Sequence, residues 1–149
     1  MKFLVCLNLI ALMCLTAHAD DARIPFRNKK IVAFVTQNMG KKVGDGDCWD
    51  LGNAALVHAG GSRPFGRTFV WGRKLDPAKE AILPGDIVQT FTKGKEPAGP
   101  HTTVVMELAG GTKVKFGEQN WNKNMFVTTR DADLKTLGEK TTMYIYRPN

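Results

Sequence analysis

The chain has 149 residues, 43% of them hydrophobic, and a formal net charge of +7. This length is that of one domain of ordinary size, with enough chain for a single core. The basic residues are scattered without a long block, so we expect no nucleic-acid partner; the surface fits an anionic polymer, wall or membrane and a merely solvated exterior equally well.

The first 19 residues have the pattern of a secretory signal peptide. A short basic start, Met1–Phe3, precedes an apolar run over 4–15 and an Ala-x-Ala cleavage signal that ends at Ala19. The run is shorter than the roughly 20 residues that span a bilayer. We therefore expect cleavage after Ala19, secretion to the extracellular space or periplasm without a stable membrane anchor, and a monomeric single domain over residues 20–149.

Two helices are predicted next. Apolar residues at helical spacing over 29–39 lead to Gly40 as a C-terminal cap. A second helix begins after Asp47 as N-cap and continues to a Gly-Gly stop at 60–61. A short strand over 68–71 and a helical turn over 76–81 follow.

The second half of the sequence has the pattern of a strand meander. Pro84-Gly85-Asp86 predicts a turn into a core strand. The Gly/Pro-rich segment 93–100 predicts a mobile lip. Helices followed by antiparallel strands predict an α+β fold in which the second helix packs on one face of a curved sheet. The strands are predicted over 87–91, 102–108, 114–121, 126–129 and 143–146.

Cys48 lies at the start of the second helix. Cys6 and Cys14 fall in the leader, so cleavage leaves Cys48 as the sole cysteine. In a secreted protein such a cysteine forms an intermolecular link, is a buried passenger or is a reactive thiol. A helix N-terminus lowers a thiol pKa, whereas the nearby Asp45 and Asp47 oppose thiolate formation.

A reactive thiol needs a base, and the mature chain contains His58 and His101. His58 lies ten residues along the same helix, about 15 Å from Cys48 at 1.5 Å per residue, which is too far for proton transfer. His101 begins a strand after the mobile lip. It is therefore the candidate base, the alternative being a surface histidine at a loop end.

The imidazole in turn needs an orienting group. Alternation along 114–121 places Glu118 and Asn120 on the face that carries the apolar side chains, and Gln119 on the other face with the lysines. A polar group on a buried face needs a partner. Either Glu118 or Asn120 could therefore orient His101, unless this strand end emerges into solvent.

Five segments in this order resemble the CHAP amidase/peptidase family, a branch of the papain-like fold that includes NlpC/P60 hydrolases. The resemblance implies that Cys48 is the nucleophile, His101 the base, and Glu118 and Asn120 the orienting groups; family members commonly cut amide bonds in bacterial peptidoglycan. The first and last segments look equally like the cysteine-proteinase-fold domain at the C-terminus of fungal actin-patch proteins. The five segments are Gly46–Leu51, Pro84–Ile87, His101–Val105, Glu118–Asn122 and Tyr146–Asn149.

No cofactor or metal site is expected. The aspartates at 45, 47 and 50 lack the spacing of a calcium loop, and one cysteine with two histidines makes no zinc ligand set. Core packing is the preferred interpretation for Trp49, Trp71 and Trp121, although each could line a groove.

The leading functional hypothesis is a secreted thiol hydrolase. Cys48 attacks an amide carbonyl, His101 takes its proton and later protonates the leaving amine, and water releases the acyl-enzyme. Peptidoglycan is the first substrate expected, with ordinary peptides as an alternative. A catalytically silent papain-fold module that binds a wall, glycan or protein partner is the hypothesis from a different class.

Overall fold

The structure is a computed structural model that describes residues 23–94 and 99–149. The expected signal peptide with its cleavage site, and residues 95–98 of the predicted mobile lip, lie outside the described residues. Helix α1 spans Phe26–Gln37 and α2 spans Cys48–His58. Pro25 is the N-cap of α1 and Asn38, rather than Gly40, its C-cap. Both predicted helices are confirmed: α2 begins at the predicted residue, and the other boundaries are shifted by at most three residues.

The strands of the described residues form one six-stranded antiparallel sheet in the order β1-β6-β2-β3-β4-β5. A third helix, α3, connects the last two strands and was not predicted. None of the helices in the described ranges is long and apolar enough to cross a membrane. The strands and α3 are β1 (Arg73–Lys74), β2 (Ile87–Thr92), β3 (Pro100–Leu108), β4 (Lys113–Glu118), β5 (Thr128–Asp133), α3 (Leu134–Lys140) and β6 (Thr141–Arg147).

Several predicted boundaries are wrong for local reasons. The strand predicted over 68–71 is replaced by a 3-10 turn at Phe65–Arg67 and the two-residue β1. The strand predicted over 114–121 ends at Glu118, because Asn120 has φ 63° and turns the chain. The last strands are longer than predicted. α3 is short, and its N-cap is Asp133, whose carboxylate accepts from the backbone N–H groups two and three residues on.

The hydrophobic core lies on both faces of the sheet. Alternate residues of the central strands, such as Ile87 and Val104, pack against α1 and α2, whereas their neighbours Val88 and Val105 pack on the opposite face. The predicted α+β architecture of helices on an antiparallel sheet is therefore confirmed. It places the first turn of α2 over the beginning of β3.

Asp86 ties the two ends of the described fold together. Its buried carboxylate accepts from Arg147 Nε at 3.0 Å and Arg147 Nη2 at 2.8 Å, near the C-terminus. Asn28 of α1 donates to the same group at 2.9 Å, and the Leu83 N–H donates at 2.8 Å. Gly85 in this turn has φ 85°, and a Cβ there would lie 2.4 Å from the Asn28 carbonyl. The Pro-Gly-Asp motif is thus the predicted turn into a core strand.

Candidate active site

Cys48 is the first residue of α2, and Asp47 precedes it as N-cap. The thiol is 5% exposed and lies 4.0 Å from the carbonyl oxygen of Pro100, the first residue of β3. In the described ranges no hydrogen bond joins Cys48 Sγ to His101. The helix therefore delivers the sulfur to the strand end that carries the imidazole, without a direct link between the two groups.

Burial controls the protonation of this thiol. Burial raises the pKa of Cys48 to about 11, with contributions from the Asp47 charge and an Asp47 hydrogen bond, against opposing hydrogen bonds with Thr102. The lowering expected from the helix N-terminus is overridden. The thiol is therefore protonated at neutral pH.

His101 is held by a carboxylate on the neighbouring strand. His101 Nε2 lies 3.1 Å from Glu118 Oε2. The strand register places Glu118 opposite Thr103, so that His101 is its diagonal neighbour. Glu118 is only 1% exposed. Burial raises the pKa of the Glu118 carboxyl, but hydrogen bonds from His101 and Arg130 outweigh it and hold that pKa below its ordinary value. Glu118 is thus an ionised carboxylate beside the imidazole.

Arg130 of β5 was not recognised from the sequence. Its Nε donates to Glu118 Oε1 at 2.6 Å and its Nη2 to Glu118 Oε2 at 3.0 Å. Arg130 pairs with Phe116 across the β4–β5 ladder, one diagonal step from Glu118. The predicted strand over 126–129 stopped one residue short of it. Extending that strand would have placed an arginine beside the carboxylate.

Trp121 also belongs to this site. Its ring centroid lies 5.1 Å from that of His101, and the Arg130 guanidinium lies 4.1 Å above its ring. Trp121 is 38% exposed, so the core position predicted for it is wrong. The core positions of Trp49 and Trp71 are confirmed, since these side chains are 3% and 0% exposed.

The two alternatives for orienting His101 occupy different positions. Glu118 contacts the imidazole, whereas Asn120 is exposed in the turn after β4, where its N–H donates to the Asn124 carbonyl at 2.7 Å. Within the described chain, Asn120 makes no hydrogen bond to His101. The other histidine, His58, is exposed at the far end of α2 against Phe34.

The position of Gln119 differs from the prediction. Strand alternation predicts that Gln119 lies on the same face as the lysines of β4, but its side chain is fully buried beneath the loop that precedes α2. Its Oε1 accepts from the Val43 N–H at 2.8 Å, and its Nε2 donates to the Val43 and Asp47 carbonyls at 2.9 and 2.8 Å. Gln119 therefore anchors the loop that positions Cys48.

The aspartates around Cys48 have structural partners. Asp50 Oδ2 accepts from the backbone N–H groups of Asp45 at 2.9 Å and Asp47 at 3.4 Å. Arg67 Nη2 donates to Asp47 Oδ2 at 3.2 Å. Across residues 23–94 and 99–149 no group of three or more histidine, cysteine, aspartate or glutamate side chains is arranged to hold a metal ion.

A cysteine at the start of a helix packed on an antiparallel sheet, with a histidine and a carboxylate on adjacent strands, defines a papain-like, cysteine-proteinase-fold domain. The family comparison gives the particular member of that class. The chain belongs to the AIM3/BBC1 cysteine proteinase-fold domain family, whose pattern matches residues 28–149. The predicted resemblance to the domain of fungal actin-patch proteins is thereby confirmed.

Solved structures agree on the fold. The crystal structure of Ly7917 aligns with a TM-score of 0.59 and 19% identity, covering 81% of this chain and 62% of that one. The structure of Ly7917 with the hydrolyzing product of MDP gives 0.58 and 19%, covering 82% and 63%. The chain thus spans less than two thirds of the length of these neighbours. At 19% identity, the similarity shows a shared fold. No curated protein gives a significant match.

Proposed function

We propose that this domain hydrolyses amide bonds, with Cys48 as the nucleophile and His101 as the general base. One juxtaposition carries the proposal: the Cys48 sulfur lies 4.0 Å from the Pro100 carbonyl, and the next residue is His101, held by Glu118 at 3.1 Å. A thiol, an imidazole and an ionised carboxylate thus converge on one strand end. Membership of the cysteine-proteinase-fold family supports this assignment.

The raised thiol pKa favours a particular order of steps. The Cys48 thiol is neutral before substrate binds. The proton is therefore transferred to His101 while the sulfur attacks, and no stable thiolate–imidazolium pair forms beforehand. His101 Nε2 is occupied by Glu118, so Nδ1 is the nitrogen that receives the Cys48 proton. A C–S bond forms as the proton leaves. The imidazolium then protonates the leaving amine as the C–N bond breaks, and water cleaves the thioester.

Two neighbouring groups assist these steps. The ionised Glu118 compensates the positive charge that develops on His101. The backbone N–H of Cys48, at the first position of α2, can donate to the oxyanion of the tetrahedral intermediate.

The substrate proposed first is a peptide or muramoyl amide bond of bacterial peptidoglycan, cut by a secreted monomer. The leader pattern of residues 1–19 supports secretion. The Ly7917 structure that holds the hydrolyzing product of MDP supports testing such substrates. Cleavage of ordinary peptides is the alternative within the same mechanism.

Zymography of the full chain tests activity and substrate together. Purified sacculi in one gel and denatured protein in another distinguish the two substrate classes. We expect the Cys48→Ala and His101→Ala variants to lose at least about 100-fold in rate, because nucleophile and base are each essential to the chemistry. His58→Ala is the matched control and retains activity. Activity that survives Cys48→Ala unchanged would exclude this mechanism.

A second candidate function is a silent binding module. It is favoured by the burial of the Cys48 thiol, 5% exposed, and by its pKa of about 11. In that case the full chain pellets with sacculi or binds a protein partner, neither gel shows clearing, and Cys48→Ala binds as well as wild type. Clearing that depends on Cys48 excludes it.

A further inference from the structure

Arg130, Glu118, His101 and Trp121 form one compact group, called here the His101 cluster. Glu118 Oε2 is shared, since it lies 3.1 Å from His101 Nε2 and accepts from Arg130 Nη2 at 3.0 Å. Glu118 Oε1 accepts from Arg130 Nε at 2.6 Å. The carboxylate therefore serves an arginine and a histidine at once.

We propose that Arg130 is a positioning residue that fixes Glu118 against the imidazole and, by compensating part of the carboxylate charge, reduces the preference for a charged imidazole that an uncompensated Glu118 would impose on His101. The kinetic consequence rests on the proposed function, whereas the effect on imidazole protonation does not. A two-point hydrogen bond is the geometry in which arginine orients a carboxylate most firmly.

The role of Arg130 follows from the charge of the carboxylate beside the imidazole. Beside an uncompensated buried carboxylate, a histidine is strongly drawn to the protonated form, in which it cannot act as a base. Arg130 supplies the compensating positive charge, and its side chain is 25% exposed whereas that of Glu118 is 1% exposed. The carboxylate can then orient the imidazole without requiring it to be charged.

Trp121 holds the arginine in place. The Arg130 guanidinium lies 4.1 Å above the Trp121 ring and 5.6 Å from the Phe116 ring centroid. Trp121 in turn contacts the His101 ring at 5.1 Å. Stacking on Trp121 fixes the plane of the guanidinium so that it reaches both oxygens of Glu118. A lysine ammonium is not planar and would not be oriented in this way.

The other elements around His101 bring few charges. β4 contributes Glu118 and β5 contributes Arg130. β2 places the uncharged Thr90 opposite His101. α2 contributes the Cys48 thiol, neutral below about pH 11, and the carboxylate of its N-cap, Asp47, is paired with Arg67. Arg130 is therefore the cation that contacts the Glu118 carboxylate within the described chain.

The test is an NMR titration of the histidine ring protons in the full chain, which needs no turnover. His101 is assigned from the signal lost in His101→Gln. We expect Arg130→Gln and Arg130→Met to raise the titration midpoint of this signal by about one pH unit or more, because the carboxylate is left uncompensated. Arg130→Lys, which keeps the charge, should remain closer to wild type. The His58 signal should not move in any variant.

Arg73→Gln is the matched control for loss of an arginine. Arg73 pairs with Glu80 at 2.7 Å on β1, at the opposite edge of the sheet from β5. The Arg73→Gln variant should leave the His101 titration midpoint unchanged. Should Arg130→Met fail to fold by circular dichroism, Arg130→Gln, whose amide can still donate to Glu118, carries the test.

Each outcome has a defined meaning. An unchanged His101 midpoint in a folded Arg130→Gln protein overturns the proposal and leaves Arg130 a merely structural residue. A raised midpoint in a protein without hydrolytic activity supports the role of Arg130 and contradicts the proposed function. If activity is present, Arg130→Gln should shift the acidic limb of the pH profile of kcat/KM to higher pH. The size of this shift should equal the shift of the His101 midpoint in the NMR titration.

Discussion

At the scale of single residues, Cys48 shows two opposing influences of unequal size. A helix N-terminus stabilises a nearby negative charge by about 0.3–1 kcal/mol. The rise of the thiol pKa from 9.0 to about 11 corresponds to about 3 kcal/mol at about 1.4 kcal/mol for each pKa unit. Desolvation therefore prevails over the helix terminus. Access of substrate to this buried sulfur has to accompany its activation.

The contribution of Asp47 to the thiol can be tested directly. Burial is the main reason that the Cys48 pKa is raised, but the charge and hydrogen bond of Asp47 add to it. Asp47→Asn should therefore lower the thiol pKa. We expect alkylation at pH 8 to accelerate by about three- to tenfold, because the rate below the pKa follows the thiolate fraction. Wild-type alkylation should keep rising with pH toward about 11.

Asp45→Asn is the matched control, since Asp45 is exposed and its described hydrogen bond uses the backbone N–H. Its alkylation rate should equal that of wild type. Equal rates for wild type and Asp47→Asn would show that the carboxylate does not influence the thiol.

At the scale of elements, the position of α2 depends on a glycine in its middle. Gly52 faces β3, where an added Cβ would lie 2.8 Å from Thr102 Cγ2 and 3.1 Å from Trp71 Cη2. Helix propensity by itself would favour alanine by about 1 kcal/mol. Gly52 therefore lets α2 approach β3 closely, although it lowers the local stability of the helix. This close approach brings Cys48 to the start of β3.

Gly52→Ala should consequently destabilise the domain by about 1–3 kcal/mol, because the added methyl overpacks the contact between α2 and β3. Gly138→Ala in α3 is the matched control. A Cβ there would meet only Met143 Cε, at 3.9 Å, so this change should be neutral or stabilise by up to about 1 kcal/mol. Urea unfolding measures both. A stabilised Gly52→Ala protein would contradict the packing described.

The loop before α2 depends on Gln119. Its three hydrogen bonds to Val43 and Asp47 are the link between β4 and this loop. Gln119→Ala should lower the free energy of unfolding by about 1–3 kcal/mol, because the Val43 N–H loses its partner and the Val43 and Asp47 carbonyls keep only their bonds within the loop and the start of α2. It should also increase alkylation of Cys48 by loosening the loop. The exposed Gln37→Ala at the end of α1 is the control and should change neither measurement.

At the scale of the whole molecule, Asp86 joins α1 and the C-terminal end of β6. Asp86→Ala leaves Arg147 and Asn28 without their shared partner, and we expect a loss of about 3–5 kcal/mol in urea unfolding. The surface pair of Arg73 and Glu80 provides the control, since Glu80→Gln should leave the unfolding midpoint near that of wild type. Equal midpoints for the two variants would show that the buried pair does not hold the fold together.

Most of the fold was predictable because its signals are local. Helical spacing and an N-cap defined α1 and α2, and alternation with turn residues defined the central strands. The elements that were missed or misplaced are short or at edges: β1, the extended β5 and α3. The strands β1 and β5 are stabilised by pairing with other strands, which leaves a weak local pattern, and α3 is only seven residues long.

The candidate site divides in the same way. The residue types of the site and their order are visible in the amino-acid sequence: a cysteine after an N-cap, one histidine within possible reach, and a carboxylate two residues before an asparagine. The folded chain was needed to see that Glu118 contacts His101, that Arg130 shares this carboxylate, and that Cys48 is buried with a raised pKa. The reason is that hydrogen-bond partners and desolvation depend on which strands lie side by side and on what covers them, and neither is specified by neighbours in the chain.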